Sequence, residues 1–168
     1  MRKGNIKGMR KNINKTDDPK NNDLSIMFSH KSDHWATPKN IYNKLKKAGY
    51  INPCPLHSKR NNLNKIYHKK RIFINPPYSD IKSWVKFIKN NMYDNFIMLL
   101  IPARTDTEYF HELLKLKPNI FFIKGRLHFN DSNSAPFPSI ILTFSLYLQN
   151  SLVIQTYGAL TKDLKWIL

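Results

Sequence analysis

Short β-rich apolar runs alternate along this chain with stretches whose apolar residues recur at helical spacing. The runs predict strands at residues 50–52, 71–74, 96–101, 120–123 and 140–146. The stretches between them predict helices that begin at Pro38, after Ser79 or Asp80, and at Asp106. This alternation predicts an α/β fold whose sheet is mixed but mostly parallel, with the last strand antiparallel to a neighbour.

Local signals define the ends of the first helix. Thr37 is its predicted N-cap, Pro38 its first residue and Gly49 its stop. Asp106 is the predicted N-cap of the helix that passes through Phe110. The hydroxyl oxygen of a threonine N-cap accepts a hydrogen bond from a backbone amide in the first turn of the helix.

The length of 168 residues suits one domain with a substantial core. Residues 1–22 are basic, polar and without periodicity, so they predict a disordered arm. Residues 23–168 are predicted to form a single domain. The polar stretch 56–70 predicts a long loop, which leaves little room for a second strand and helix. The nucleotide-binding half of such a sheet is therefore expected to be abbreviated.

The charge balance of the chain is extreme, with a formal net charge of +17 and a pI of about 10.0. Such a field attracts polyanions, and nucleic acid is the natural partner. The alternative is a coding bias, because Lys, Asn and Ile are abundant throughout and raise the charge without creating a binding face.

The single Cys excludes an internal disulfide and predicts a reducing compartment such as the cytoplasm. One thiol and scattered histidines predict no metal site. No signal peptide and no apolar run of membrane-spanning length stands out.

The most informative motif is Asn75-Pro76-Pro77-Tyr78, which follows the apolar run 71–74. Neither proline can donate to a β-ladder, and the residue before each is pushed to extended geometry. The motif therefore predicts a stiff loop at the carboxyl end of a buried strand, where open α/β sheets bind ligands. The alternative is an ordinary strand-to-helix turn without chemistry.

Such a loop presents the groups needed to hold a planar ring that carries an exocyclic amine. The Asn75 side-chain oxygen and the Pro76 carbonyl are two acceptors for the amine hydrogens, and the Tyr78 ring can stack on the base. Two acceptors favour a nitrogen with a localised lone pair, which makes a poorly nucleophilic amine more reactive. No metal or covalent intermediate is required, since positioning does much of the work.

This motif resembles the catalytic motif of amino-methyltransferases that use S-adenosylmethionine, and the wider chain resembles the phage-type DNA adenine-N6 methyltransferases, the phage Dam family. Matching stretches run in family order at 34–38, 52–56, 75–79, 100–107, 124–129 and 135–139. The resemblance implies an abbreviated Rossmann-like S-adenosylmethionine-dependent methyltransferase fold that methylates adenine N6 in DNA. It implies that Asn75, Pro76, Pro77 and Tyr78 hold a flipped base, and it suggests a phage- or prophage-like origin.

The resemblance also implies where the methyl donor binds. The positions carried over are Asp33, Trp35, Thr37, Pro38, Asn52, Pro53 and Cys54. An aromatic wall, a helix start and acceptors for ribose hydroxyls suit S-adenosylmethionine.

The donor segment departs from the family, because Asn52 stands where the family has Asp and no Asp or Glu occurs between Asp33 and Asp80. One alternative is therefore a non-catalytic nucleic-acid-binding relative or subunit that has lost donor binding. Another is methylation of a different planar amine, such as cytosine N4, an RNA base or a glutamine side chain.

Basic residues near predicted strand ends are candidates for contact with double-stranded or single-stranded DNA, since cationic side chains suit phosphate oxygens. Contacts are predicted for the basic residues Lys69, Lys70, Arg104, Lys124 and Arg126, and also for the hydroxyl of Ser79. The two lysines belong to a basic run that is expected beside the Asn75 loop. Pairing with Asp106 is the alternative for Arg104 and would make that arginine structural.

Overall fold

The computed structural model describes residues 35–55, 62–129 and 134–146, together with the backbone of residues 158–160. The predicted arm at 1–22, the candidate donor ligand Asp33 and residues 56–61 of the predicted loop lie outside the described residues. The division into an arm and a single domain over 23–168 stays a prediction.

Helices and strands alternate through the described part of the chain, as the apolar periodicity predicts. In chain order they are α1 (Lys39–Lys47), β1 (Tyr50–Ile51), β2 (Arg71–Ile74), α2 (Ile81–Asn91), β3 (Phe96–Pro102), α3 (Glu108–Leu114), β4 (Asn119–Ile123), β5 (Ser139–Phe144) and β6 (Gly158–Leu160). A 3₁₀ turn over Tyr78–Asp80 precedes α2.

The strands of the described residues form one six-stranded sheet in the order β1-β2-β3-β5-β4-β6. The pairs β1–β2, β2–β3 and β4–β6 are parallel, whereas β5 runs antiparallel to both β3 and β4. The predicted α/β class with a mixed, mostly parallel sheet is therefore confirmed. Because β1 to β4 all point the same way, their carboxyl ends and the start of β5 share one edge of the sheet, here called the Asn75 edge.

The sheet is covered on both faces. Helices α2 and α3 pack on one face through Trp84, Ile88 and Leu113, which are fully buried. Helix α1 and the segment between β4 and β5 cover the other face through Ile41, Leu45 and apolar residues of that segment. A strand buried on both faces explains the continuous apolar run of β3.

Two helix starts differ from the prediction. Pro38, not Thr37, is the N-cap of α1, and its backbone is extended (φ −51°, ψ 136°). Thr107, not Asp106, is the N-cap of α3, and its hydroxyl donates to the Arg104 carbonyl at 2.8 Å. The Thr37 hydroxyl accepts a hydrogen bond from Asn75, which is distant in the chain, and the Thr107 hydroxyl donates within its own turn. Local sequence signals do not show either contact.

Two buried asparagines hold the loop that leads into β2. Asn91 accepts from the Tyr67 amide at 2.8 Å and donates to the carbonyls of Lys65 and Phe87. Asn95 accepts from the Lys70 amide at 2.9 Å and donates to the carbonyls of Tyr67 and Asn91. These bonds satisfy the backbone of a loop that lacks a sheet partner.

Candidate active site

Asn75 lies directly after β2, and its side-chain amide is held by the segment that precedes α1. The amide nitrogen Nδ2 donates to the Trp35 carbonyl at 2.6 Å and to the Thr37 hydroxyl oxygen at 3.1 Å. Both hydrogens of the amide are therefore used. Since a carbonyl can only accept, the Trp35 bond also fixes which end of the amide is nitrogen.

The other end of the amide is an unused acceptor. Oδ1 of Asn75 is buried and has no hydrogen-bond partner among the described residues. A buried acceptor without a partner is costly, and such atoms in native structures call for an explanation. A ligand that donates a hydrogen bond at this point would satisfy it.

Aromatic rings form a cluster beside this amide. Trp35 contacts Phe129 and Phe137 edge to face, with ring centroids 5.5 and 5.2 Å apart, and Tyr78 contacts Phe137 at 5.5 Å. The segment that follows β4 thus reaches across to the Asn75 loop. The segment around Phe137 therefore forms an apolar wall beside the Asn75 loop.

The segment that follows β1 lies at the same edge of the sheet, one strand away. Asn52 accepts from the Cys54 amide at 2.9 Å, so its side-chain oxygen closes a local turn. Burial first, and then the Asp80 carboxylate, raise the pKa of the Cys54 thiol to about 11. The fold therefore brings a carboxylate near a segment whose own sequence has none.

The predicted donor residues fall into two groups in the structure. Trp35 and Thr37 contact Asn75 directly, and Pro38 follows as the start of α1. Asn52, Pro53 and Cys54 follow β1, and Cys54 packs on the face of the sheet that carries α2.

The basic candidates lie at both edges of the sheet. Arg104 follows β3, and Lys124 and Arg126 follow β4, so these three residues lie at the Asn75 edge. Gly125 between the last two has φ 82°, which permits the tight turn there. Exposed Ser79 lies in the 3₁₀ turn at the same edge.

The expectation that Lys69 and Lys70 lie beside the Asn75 loop is wrong. They precede β2, and their backbone amides donate hydrogen bonds to the Asp94 carbonyl and the Asn95 side-chain oxygen. Asp94 and Asn95 precede β3. Lys70 and Asn75 lie at the two ends of β2, five residues apart, which is about 17 Å at roughly 3.3 Å per residue. Neighbours in sequence lie at opposite ends of a strand.

Sequence reasoning missed three features of this site. The contact of Thr37 with Asn75 and the approach of Asp80 to Cys54 join residues far apart in the chain, and no local signal announces them. Phe129 lies in a stretch that resembles the family but carries no chemical signal of its own, and its contact with Trp35 gives it a place in the site.

Among the described residues, no three His, Cys, Asp or Glu side chains converge in a way that would hold a metal ion. No helix in the same residues has the length and apolar character needed to cross a bilayer.

Comparison with known proteins bears on this geometry. Residues 55–157 match the family described as DNA N-6-adenine-methyltransferase (Dam). The chain belongs to this family. The Dam match includes the Asn75 loop, Arg104, Arg126 and Phe137, and it begins after Cys54. No curated protein and no solved structure matches the chain.

Membership of the Dam family confirms the resemblance found in the sequence and suggests DNA adenine methyltransferase activity. The family implies DNA as substrate and the general use of S-adenosylmethionine.

Proposed function

We propose that this chain transfers a methyl group from S-adenosylmethionine to the exocyclic N6 amine of adenine in DNA. The observation that carries the proposal is the state of the Asn75 amide. Its nitrogen is fully engaged by Trp35 and Thr37, and its oxygen is a buried acceptor without a partner among the described residues.

An amide held in this way selects for hydrogen-bond donors. A ring carbonyl or an unprotonated ring nitrogen would leave Oδ1 of Asn75 unsatisfied, whereas an amine can donate to it. This favours a base that carries an exocyclic amine, which adenine, cytosine and guanine do. The Dam family supports adenine among these three.

The proposed chemistry is electrostatic. Oδ1 of Asn75 and the Pro76 carbonyl accept the two amine hydrogens, which favours a tetrahedral nitrogen with a localised lone pair. Tyr78 stacks on the ring, a contact worth roughly 1–3 kcal/mol. When bound, S-adenosylmethionine would supply an electrophilic methyl group. As the nitrogen–carbon bond forms, the sulfur–methyl bond breaks and S-adenosylhomocysteine, a neutral thioether, leaves. The methylated amine then loses one proton to water.

The base has to leave the DNA stack to reach this oxygen. Oδ1 of Asn75 is shielded from solvent, so a neighbouring side chain must also move when the base enters. The aromatic cluster of Trp35, Tyr78, Phe129 and Phe137 supplies apolar surface to replace the lost stacking.

The charge near the segment after β1 suits the proposed donor. The Asp80 carboxylate contributes to the raised pKa of Cys54, and a negative charge that acts on this segment suits a sulfonium or ribose hydroxyls. We include Trp35, Pro38, Asn52, Pro53 and Cys54 in the donor site.

A second candidate function is DNA binding without catalysis. The observation that favours it is the Asn52 oxygen, which is occupied by the Cys54 amide and is not a carboxylate. A protein of this kind would bind DNA and not S-adenosylmethionine.

The experiment is methylation of unmethylated DNA by the purified full-length chain with isotopically labelled S-adenosylmethionine. The DNA is then hydrolysed and its nucleosides are identified by mass spectrometry. Labelled N6-methyldeoxyadenosine supports the proposal, and N4-methyldeoxycytidine would reassign the base. No labelled nucleoside, together with no calorimetric binding of the donor with or without DNA, would support the second candidate.

Asn75→Ala is the matched control for this experiment. It removes the acceptor and should abolish turnover while DNA affinity stays within about threefold, since the phosphate contacts are untouched. Retained methylation in this variant would overturn the assignment of the loop.

A further inference from the structure

Thr37 occupies a position where a threonine normally caps a helix, yet it does not do so here. Pro38 is the N-cap of α1, and that helix start has no side-chain capping bond. The Thr37 hydroxyl oxygen instead accepts from Asn75 Nδ2 at 3.1 Å, from a residue that is distant in the chain. The hydroxyl is thus directed toward the candidate catalytic loop.

A second acceptor changes what the amide of Asn75 can do. The last torsion of an asparagine side chain is broad, so one hydrogen bond leaves the amide plane free to pivot. Trp35 and Thr37 bind the two hydrogens of the same nitrogen, and together they fix the plane. Oδ1 is then held in one direction.

We propose that Thr37 is a positioning residue, whose hydroxyl oxygen holds the Asn75 amide so that Oδ1 faces the amine of the target base. The inference rests on the proposed function, and it gives Thr37 a role different from the donor contact that the sequence suggests. Thr37 acts through Asn75 and does not itself touch the reacting atoms.

Thr37 is the part of this arrangement that substitution can test, because the Trp35 acceptor is a backbone carbonyl. Thr37→Val keeps the shape of the side chain and removes the acceptor. Thr37→Ser keeps the acceptor and removes the methyl group. Thr143→Val is a matched control, since Thr143 is a buried threonine of β5 that lies toward the other edge of the sheet.

The first measurement is NMR of the Asn75 side-chain amide in the full-length protein, assigned by its loss in Asn75→Ala. In the wild type its protons should exchange slowly with water. Thr37→Val should speed that exchange at least about tenfold, because one proton loses its acceptor. Thr37→Ser and Thr143→Val should leave it within about threefold of the wild type.

The second measurement is the kinetics of DNA methylation by the same proteins. Thr37→Val should lower kcat about 10- to 100-fold, since misplacement of a catalytic group by about 1 Å has an effect of that size. KM for DNA and Kd for S-adenosylmethionine should change less than about threefold, and Thr37→Ser should restore kcat.

The outcomes separate this inference from the function on which it rests. Unchanged exchange and unchanged kcat in Thr37→Val overturn it, and so does a weaker donor Kd with kcat intact, which would make Thr37 a donor ligand. If the wild type methylates no DNA while the exchange behaves as expected, the proposed function fails and the orientation of the amide by Thr37 stands.

Discussion

The Trp35 carbonyl accepts a 2.6 Å hydrogen bond from the Asn75 amide, although the two residues lie 40 positions apart in the chain. The bond joins the segment before α1 to the loop after β2. Because a carbonyl can only accept, the amide nitrogen of Asn75 must face Trp35. The amide oxygen Oδ1 is therefore the end that can accept a hydrogen bond from a ligand.

Asn75→Asp should make methylation weaker at high pH than at low pH, a dependence that the wild type should not show. An ionised carboxylate would face the Trp35 carbonyl with no proton between them, which raises the pKa of the introduced carboxyl. Activity at pH 8 should fall at least about tenfold and recover in part toward pH 6, where the protonated form donates to that carbonyl. The check is kcat against pH for the variant and the wild type.

The control for that profile is Asn75→Ala, which should be inactive at every pH because it has no acceptor. An Asn75→Asp enzyme that is equally active from pH 6 to pH 8 would show that the Trp35 bond does not constrain the loop.

Tyr78→Ala should lower kcat/KM about 10- to 100-fold, because base stacking contributes roughly 1–3 kcal/mol. Tyr78→Phe keeps the ring and should stay within about threefold. Steady-state methylation of a short duplex measures both. Thermal unfolding of both variants is needed beside it, since Tyr78 also contacts Phe137 in the aromatic cluster. Equal losses in the two variants would point to the hydroxyl and against stacking.

Asn95→Ala should lower the free energy of unfolding by about 1–3 kcal/mol, because it leaves buried backbone groups of the loop before β2 unsatisfied. Asn91→Ala should have a similar effect, and the double variant should lose less than the sum, since the two side chains hold one loop. Urea unfolding gives all three values. Strict additivity would mean that the two asparagines act independently.

The two edges of the sheet should differ in their contribution to DNA binding. Replacing Arg104 and Arg126 by Ala should weaken DNA binding and reduce the slope of log affinity against log salt by about 1 for each phosphate that the variant no longer neutralises. Replacing Lys69 and Lys70 by Ala removes the same charge from the opposite edge and should have a smaller effect. Fluorescence anisotropy over a salt series compares the pairs, and a larger effect of the lysine pair would place the DNA at the opposite edge.

Alkylation of Cys54 should report the electrostatic effect of Asp80 on its thiol. Burial and the Asp80 carboxylate raise the pKa of the thiol to about 11, so little thiolate exists at pH 8. The rate with iodoacetamide should keep rising above pH 9, and Asp80→Asn should shift the profile toward lower pH. An unshifted profile would mean that Asp80 does not act on the segment after β1.

The sequence by itself determined the local features of this protein. Apolar periodicity places the helices and strands because it is set by neighbours within a few residues. The prolines of the Asn75 loop end β2 for steric reasons that need no tertiary contact. Gly49 ends α1 with φ 80°, as its backbone freedom allows.

The tertiary structure alone decided which of these local features meet. Strand order and direction put Arg104 and Arg126 at the Asn75 edge and put Lys69 and Lys70 at the opposite one. The same arrangement turned Thr37 from a helix cap into a partner of Asn75. Periodicity carries no information about strand order, and hydrogen bonds between distant residues form only once the chain has packed.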